Sequence, residues 1–314
     1  MTGTATEVST GSPSAQRADT RPTAYMDRTR AWYLALGYGN PYQWAHYEDV
    51  PFANLRKPLA ACTVGLVTTA APFQPGKGDQ GPGAPYNAEA KFYTVYSGDT
   101  ALDHDLRIAH VGIDRKHTSM TDSNSWFPLP LLRTFAREGR IGRLAARFHG
   151  APTNRSQQHT IDVDCPEIVA RCLADGVDAG VLVANCPVCH QTLSLAARAL
   201  EAAGIATVLM ACAKDIPEHC GVPRMLFSDF PLGNAAGKPH DPDSQRETLE
   251  LALRVLEAAP CARSTVQSPQ RWSDSHDWKL DYSNPDRLSP EELARRREEF
   301  DRGKAQAQAL RTGA

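Results

Sequence analysis

No stretch of this 314-residue chain approaches the roughly 18 consecutive apolar residues that a membrane-spanning helix needs. The N-terminus, MTGTATEVSTGSPSAQRADT, lacks the apolar segment of a secretory signal, so a cytoplasmic location is expected. An excess of one charge sign is also missing. With 34 basic against 36 acidic residues the net charge is −2, which offers no reservoir for a phosphate backbone and argues against nucleic acid as a partner. Only 8 of the basic residues are lysines, and the arginines are scattered rather than clustered. Nucleotide fingerprints are absent too. GYGNPY at Gly37 fails the GxGxxG pattern and follows no strand, and GKGDQG at Gly76 lacks the spacing of a phosphate-binding loop. No nicotinamide or flavin fingerprint is visible, and no resident cofactor is assigned.

What the chain does contain is 41% hydrophobic residues with 22 glycines and 23 prolines, the composition of a globular core with long loops and polar ends. Residues 1–22 have no aromatic, Leu or Ile and cannot bury enough surface to offset ordering entropy, so disorder is expected there. Aromatics then crowd the segment 25–47 (Trp32, Tyr33, Tyr38, Tyr42, Trp44), either as a cover over the body or as the lining of a pocket.

Continuous apolar runs at Ala60–Thr69, Val177–Ala184, Ile205–Ala211 and Val222–Phe227 read as strands buried on both faces, with a further short strand at Leu106–Val111. Helices are expected at Leu129–Glu138, from an Asp164 N-cap to Asp175, at Cys189–Ala203, and from about Asp243 to Ala259. This alternation predicts an α/β fold: parallel-sheet βαβ lobes with helices on both faces, a disordered N-terminus and a charged C-terminal helix. The expected organisation is a tail (1–22), a first lobe (23–150), a second lobe (151–262) and a polar extension (263–314). The loop Pro72–Pro85 is too rich in proline for a helix and longer than a connector needs to be, which suggests a lid. A helix over Leu288–Leu310, opened by the Ser289-Pro290-Glu291-Glu292 capping box, has few apolar positions and reads as a solvated tail or an oligomer strap.

Eight cysteines lie in the chain, and only Cys186 and Cys189 have a spacing that suggests chemistry. Cys62, Cys165, Cys172 and Cys261 read as small buried hydrophobes. The motif Asn185-Cys186-Pro187-Val188-Cys189-His190-Gln191-Thr192 lies at the carboxyl end of a buried strand and opens a helix. Backbone N–H groups and the positive helix end lower a thiol pKa at such a place, and two intervening residues let the second sulfur attack an adduct on the first. His190 could move a proton or cap the turn. A metal site recruiting Cys212, His219 or Cys220, and inert packing, are the alternatives; the spacings match no zinc finger or ribbon, so no metal is assigned.

A polar cluster over Ser97–Pro128 places His110 and His117 as candidate acid/base groups, with Asp122 and Asn124 as candidate substrate contacts. Asn185 and Thr192 join the candidate substrate-binding set. So do Gly233 and Asn234, whose turn could present backbone N–H groups to a carboxylate.

In their order, VGLVTT, SGD with LDHDLRIAHVGIDRKHTSMTDSNSWFPLPLLRTFAREGRIG, VDAGVLVANCPVCHQT, GIATV and DFPLGN resemble the selenoprotein B family, the substrate-reducing subunits of glycine, sarcosine, betaine and D-proline reductases. The resemblance runs from about Leu55 to Ala259. It implies a nucleophilic Cys186 that displaces a leaving group from a substrate carbon, with Cys189 as its resolving partner. Cysteine stands here where many members carry selenocysteine, and no pyruvoyl-forming segment is recognisable. The resulting expectation is a thiol-dependent oxidoreductase that reductively cleaves a C–X bond of a small carboxylate-bearing substrate. Its electrons would come from an external dithiol or a thioredoxin-like protein, and a homo-oligomer is left open. The alternatives are a cysteine-based racemase or epimerase with Cys62 facing Cys186, and a metal-binding, non-catalytic subunit of a reductase complex.

Overall fold

The computed structural model describes residues 20–39, 42–84, 86–108 and 110–312. The expectation of disorder over 1–22 falls, for residues 1–19, outside the described residues. The apolar runs form the centre of the sheet. Strands β1 (Thr63–Thr68), β7 (Ala179–Val183), β8 (Ala206–Ala211) and β9 (Arg224–Phe227) lie side by side in parallel and are buried throughout. Burial on both faces is why these segments are unbroken apolar runs rather than alternating ones.

Beyond β9, β10 (Ser264–Gln267) adds a parallel edge. On the other side of β1 come β5 (Arg143–Leu144) and β6 (Arg147–Gly150), both parallel to it, and β3 (Tyr96–Asp99) closes that edge antiparallel to β6. The order is β10-β9-β8-β7-β1-β6-β3, with β5 also on β1. Residues 23–150, 151–262 and 263–314 thus all contribute strands to one eight-stranded sheet.

One helical layer contains α4 (Cys165–Ala174), α5 (Pro187–Ala202) and α6 (Asp215–Cys220), with α5 packed on both of the others and on β8. The opposite layer contains α7 (Pro242–Ala258), packed on β8 and β9, and α2 (Leu129–Arg137); Arg140, just beyond α2, pairs with Glu250 and Glu257 of α7 at 2.8 Å each. Gly176 (φ +64) and Gly204 (φ +85) end α4 and α5 in the left-handed conformation, which costs glycine little.

Two local expectations are corrected. Asp164 is no N-cap. It has helical angles inside a continuous run that starts at α3 (Gln157–His159), where Ser156 Oγ accepts from His159 N at 3.2 Å, and passes through a wide turn at Thr160–Asp164 into α4. The expected strand Leu106–Val111 shrinks to β4 (Leu106–Arg107), which pairs antiparallel with β2 (Ala71–Pro72) outside the main sheet. Beyond it, Ile108 and Ile113 are buried as anchors, and Gly112 lies against Pro187 at the start of α5.

The aromatic segment begins as α1 (Tyr25–Ala35) and continues without regular structure over the body. The charged helix α8 (Pro290–Thr312) is no free tail. Phe300 packs edge-on against Tyr33 and is tilted against Tyr38, Arg297 Nη1 donates to Leu36 O at 2.6 Å, and Gln306 Nε2 donates to Glu89 Oε1 at 2.9 Å. One ion pair is fully buried in the core. Arg224 Nη1 donates to Glu201 Oε1 at 2.6 Å, and both partners also grip the backbone of Ala53.

Candidate active site

Strand β7 delivers the chain to Asn185 and Cys186 at the carboxyl edge of the sheet. Cys186 is the N-cap of α5, in extended conformation, and Pro187 is its first residue, where a missing N–H costs nothing. The i to i+3 spacing brings the Cys189 amide to Cys186 Sγ at 3.2 Å, so the first helical turn donates to the sulfur. The two sulfurs are joined as a disulfide, with Cα atoms 4.9 Å apart.

Cys186 lies on the wall of a cavity of about 1830 Å³, together with Pro187 and Val188; Cys189, fully buried, lies behind it. The cavity is bounded by the start of α5, by Thr69 beyond β1, by the loop from His110 to Lys116, by Trp32, Tyr42 and Trp44 of the aromatic segment, and by α8. That segment is thus both cover and lining. Gln191 of α5 holds it: its Oε1 accepts from Ala45 N at 2.7 Å and its Nε2 donates to Tyr42 Oη at 2.6 Å. Among the described residues, nine lysine and arginine residues line the cavity against three carboxylates, so it favours an anion.

Of the candidates read from the sequence, Cys186 and His110 share this cavity. His110 Nδ1 is buried in the wall without a hydrogen-bond partner, and burial, the largest influence, pulls the ring's pKa down to about 4. His190 is fully buried, and both ring nitrogens are committed. The backbone N–H groups of Cys212 and Ala213 donate to Nε2 at 3.0 and 3.1 Å, so the proton sits on Nδ1, which donates to Cys186 O at 2.7 Å. Burial pulls its pKa down to about 4 as well. Its geometry is that of a brace between the start of α5 and the end of β8.

The remaining candidates lie off the cavity. His117 Nε2 pairs with Asp281 at 2.9 Å. Asp122 accepts from the backbone of Asn124 and His240 and from Gln245 Nε2, which ties the start of α7 down. Asn124 Oδ1 is buried without a partner. Asn185 donates from N and Nδ2 to Thr69 Oγ1, both at 3.3 Å, joining the ends of β7 and β1. Thr192 is buried within α5. Gly233 (φ +108) packs against Ile108 and Ile113, while Asn234 accepts from Thr118 Oγ1 and donates to Pro231 O. That turn is occupied by the protein itself.

Cys62, required by the racemase alternative, precedes β1 at the end of the sheet away from the cavity and donates to Lys57 O. For the metal alternative, no group of three or more His, Cys, Asp or Glu side chains converges among the described residues. Burial pushes the Cys212 and Cys220 thiols up to about 12. Among the described residues no helix is long and apolar enough to cross a membrane.

Three participants escaped sequence reasoning. Gly112 passes so close to α5 that a Cβ there would lie 2.6 Å from Pro187 Cδ, and no local pattern marks it. Tyr282, from the C-terminal extension, lines the cavity and donates to Gly112 O at 3.2 Å. Arg115 stands in the DRKH run already singled out for its histidine, and its position there is the one signal that could have found it.

Comparison with known proteins bears on the family of the chain. The family model of glycine/sarcosine/betaine reductase selenoprotein B matches residues 37–185, ending one residue before Cys186. The D-proline reductase subunit gamma of Acetoanaerobium sticklandii is 31% identical over 218 residues, covering 69% of this chain and 87% of that protein. The glycine reductase complex component B subunit gamma of Carboxydothermus hydrogenoformans is 26% identical over 217 residues (67% of this chain, 49% of that one). Its counterpart in Peptoclostridium acidaminophilum is 24% identical over 224 residues (70% and 51%). The chain thus spans about half the length of these glycine reductase relatives. No solved structure matches it. By its sequence match to the D-proline reductase subunit, the chain belongs to the glycine/sarcosine/betaine reductase selenoprotein B family.

Proposed function

We propose that this protein is the thiol-bearing component of a cytoplasmic reductase that cleaves a C–X bond in a small carboxylate-bearing substrate. The observation that carries this reading is the Cys186–Cys189 pair at the start of α5, one sulfur on a cationic cavity wall and the other behind it. In the reduced state the Cys186 thiolate, stabilised by the Cys189 amide, attacks the substrate carbon. The C–X bond breaks, X leaves with its electron pair and takes a proton, and a Cys186 thioether remains. The Cys189 thiolate then attacks the Cys186 sulfur; the S–C bond breaks, and the released carbon takes a proton. The substrate gains two electrons and the pair becomes the disulfide found in the structure. An external dithiol or thioredoxin-like protein returns it to the thiols.

In this reading His110, which lines the same wall and is neutral above about pH 4, takes the proton of the Cys186 thiol and passes it to the leaving atom. His190 acts as a positioning residue through its bond to Cys186 O. The relatives are named as subunits of D-proline and glycine reductases, which supports an amino-acid-like substrate and a need for partner subunits. A cavity of about 1830 Å³ has room for a partner segment beside such a substrate.

The test is to cycle the purified protein between a dithiol or thioredoxin and a mild oxidant, with differential alkylation and peptide mass mapping at each stage. Cys186 and Cys189 should exchange together while the buried Cys62, Cys165, Cys172, Cys212 and Cys220 stay unlabelled. A pair that never cycles would overturn the proposal.

A further inference from the structure

Of the nine lysine and arginine residues that line the cavity among the described residues, four pair with carboxylates, and Arg155, Arg302 and Lys304 are exposed. Lys116 and Arg287 share Asp281 at 2.7 and 2.6 Å, Arg107 pairs with Asp105, and Arg296 pairs with Glu292 at 2.9 Å. Arg115 differs. Its Nε donates to Ala84 O at 2.8 Å, its Nη2 to His110 O at 2.8 Å and its Nη1 weakly to Val111 O at 3.4 Å, and no carboxylate pairs with it among the described residues. The neighbouring Asp114 turns Oδ1 away, toward the amides of Lys116 and His117. Arg115 is half-buried on the cavity wall.

Three backbone carbonyls therefore hold the guanidinium in place without neutralising it, and a hydrogen on each terminal nitrogen stays uncommitted. A fork fixed in advance in this way suits bidentate recognition of a carboxylate, since little rotamer freedom is left to lose on binding. The Nη2 bond to His110 O joins the cation to a second residue of the same cavity wall. The loop bearing both is pressed onto Pro187, the residue after Cys186, at Gly112.

Resting on the proposed thiol chemistry, we infer that Arg115 is the substrate's carboxylate anchor, the specificity-determining residue that presents the adjoining carbon to Cys186. The turn at Gly233 and Asn234, whose backbone was the expected carboxylate site, is filled by its own side-chain contacts, and Arg115 takes that role.

The test uses two alkylating reagents of equal reach and opposite demand. The fully reduced full-length protein is treated with iodoacetate, which carries a carboxylate, or with neutral iodoacetamide, and the rate of modification at Cys186 is followed by peptide mapping. In Arg115→Met the ratio of the iodoacetate to the iodoacetamide rate should fall by about tenfold, the worth of one charge-assisted bond, with the iodoacetamide rate unchanged. Arg115→Lys, which keeps the charge but not the fork, should fall between the parent and Arg115→Met, which guards against a variant that merely loosens the loop; circular dichroism and melting confirm folding. An unchanged ratio in Arg115→Met, or a parallel fall with both reagents, overturns the anchor while leaving the thiol reading intact. Failure of both reagents to modify Cys186 in the unaltered protein instead sinks the thiol reading, and the anchor with it.

Discussion

Gly112 and Pro187 are in such close approach that a methyl group on Gly112 would sit 2.6 Å from Pro187 Cδ, inside any tolerable carbon–carbon contact. This contact seats the His110–Lys116 loop on the helix that starts at Cys186. Replacing Gly112 by Ala should push the loop outward and destabilise the fold by about 1–3 kcal/mol, as overpacking does. Denaturant unfolding gives the loss, and faster alkylation of reduced Cys186 gives the opening. A stability within experimental error of the parent would show that the loop yields freely.

The two thiols should not be interchangeable. Cys186→Ser should abolish turnover and adduct formation, because the cavity-wall nucleophile is gone. Cys189→Ser should permit one attack and then trap substrate on Cys186, since no resolving thiol remains. Intact-mass spectrometry with a substrate that supports turnover reads both outcomes. An adduct that persists in Cys186→Ser and vanishes in Cys189→Ser reverses the roles.

Acid should weaken the fold through His190. The folded ring stays neutral down to about pH 4, whereas its unperturbed pKa is 6.5. Between those values the unfolded chain binds the proton and the folded one does not, so stability present above pH 6.5 is lost as pH falls toward 4. The slope is at most about 1.4 kcal/mol per pH unit for one histidine. His190→Asn should remove that part of the slope in urea titrations at a series of pH values, and an unaltered slope would assign the acid sensitivity elsewhere.

Glu201 and Arg224 form a pair with side chains 0% and 2% exposed, which additionally holds Ala53. Arg224→Met should cost about 3–5 kcal/mol, because it strands a buried carboxylate. Glu201→Met combined with Arg224→Met should recover part of the loss, the charge being gone with its partner. If the double variant is less stable than either single one, the contacts to Ala53 matter more than the charge.

The sequence alone determined what is set by neighbours a few residues apart. Unbroken apolar runs marked β1, β7, β8 and β9, because strands buried on both faces have no polar side to show. The i to i+3 spacing of Cys186 and Cys189 with Pro187 between them already implied a helix start with paired sulfurs, since that geometry is local. Tertiary structure decided the rest. Whether His190 moves protons or braces depended on the amides of Cys212 and Ala213, 22 and 23 residues away, which occupy Nε2. Which candidates of the Ser97–Pro128 cluster line the cavity with Cys186 depended on a turn packed at Gly112: His110 does, whereas His117, Asp122 and Asn124 do not. The place of α8 over the cavity depended on Phe300 meeting Tyr33 and Tyr38. Hydrophobic patterning reports which side of an element is buried, but not which distant element buries it; that is settled only when crossovers and loops bring the faces together.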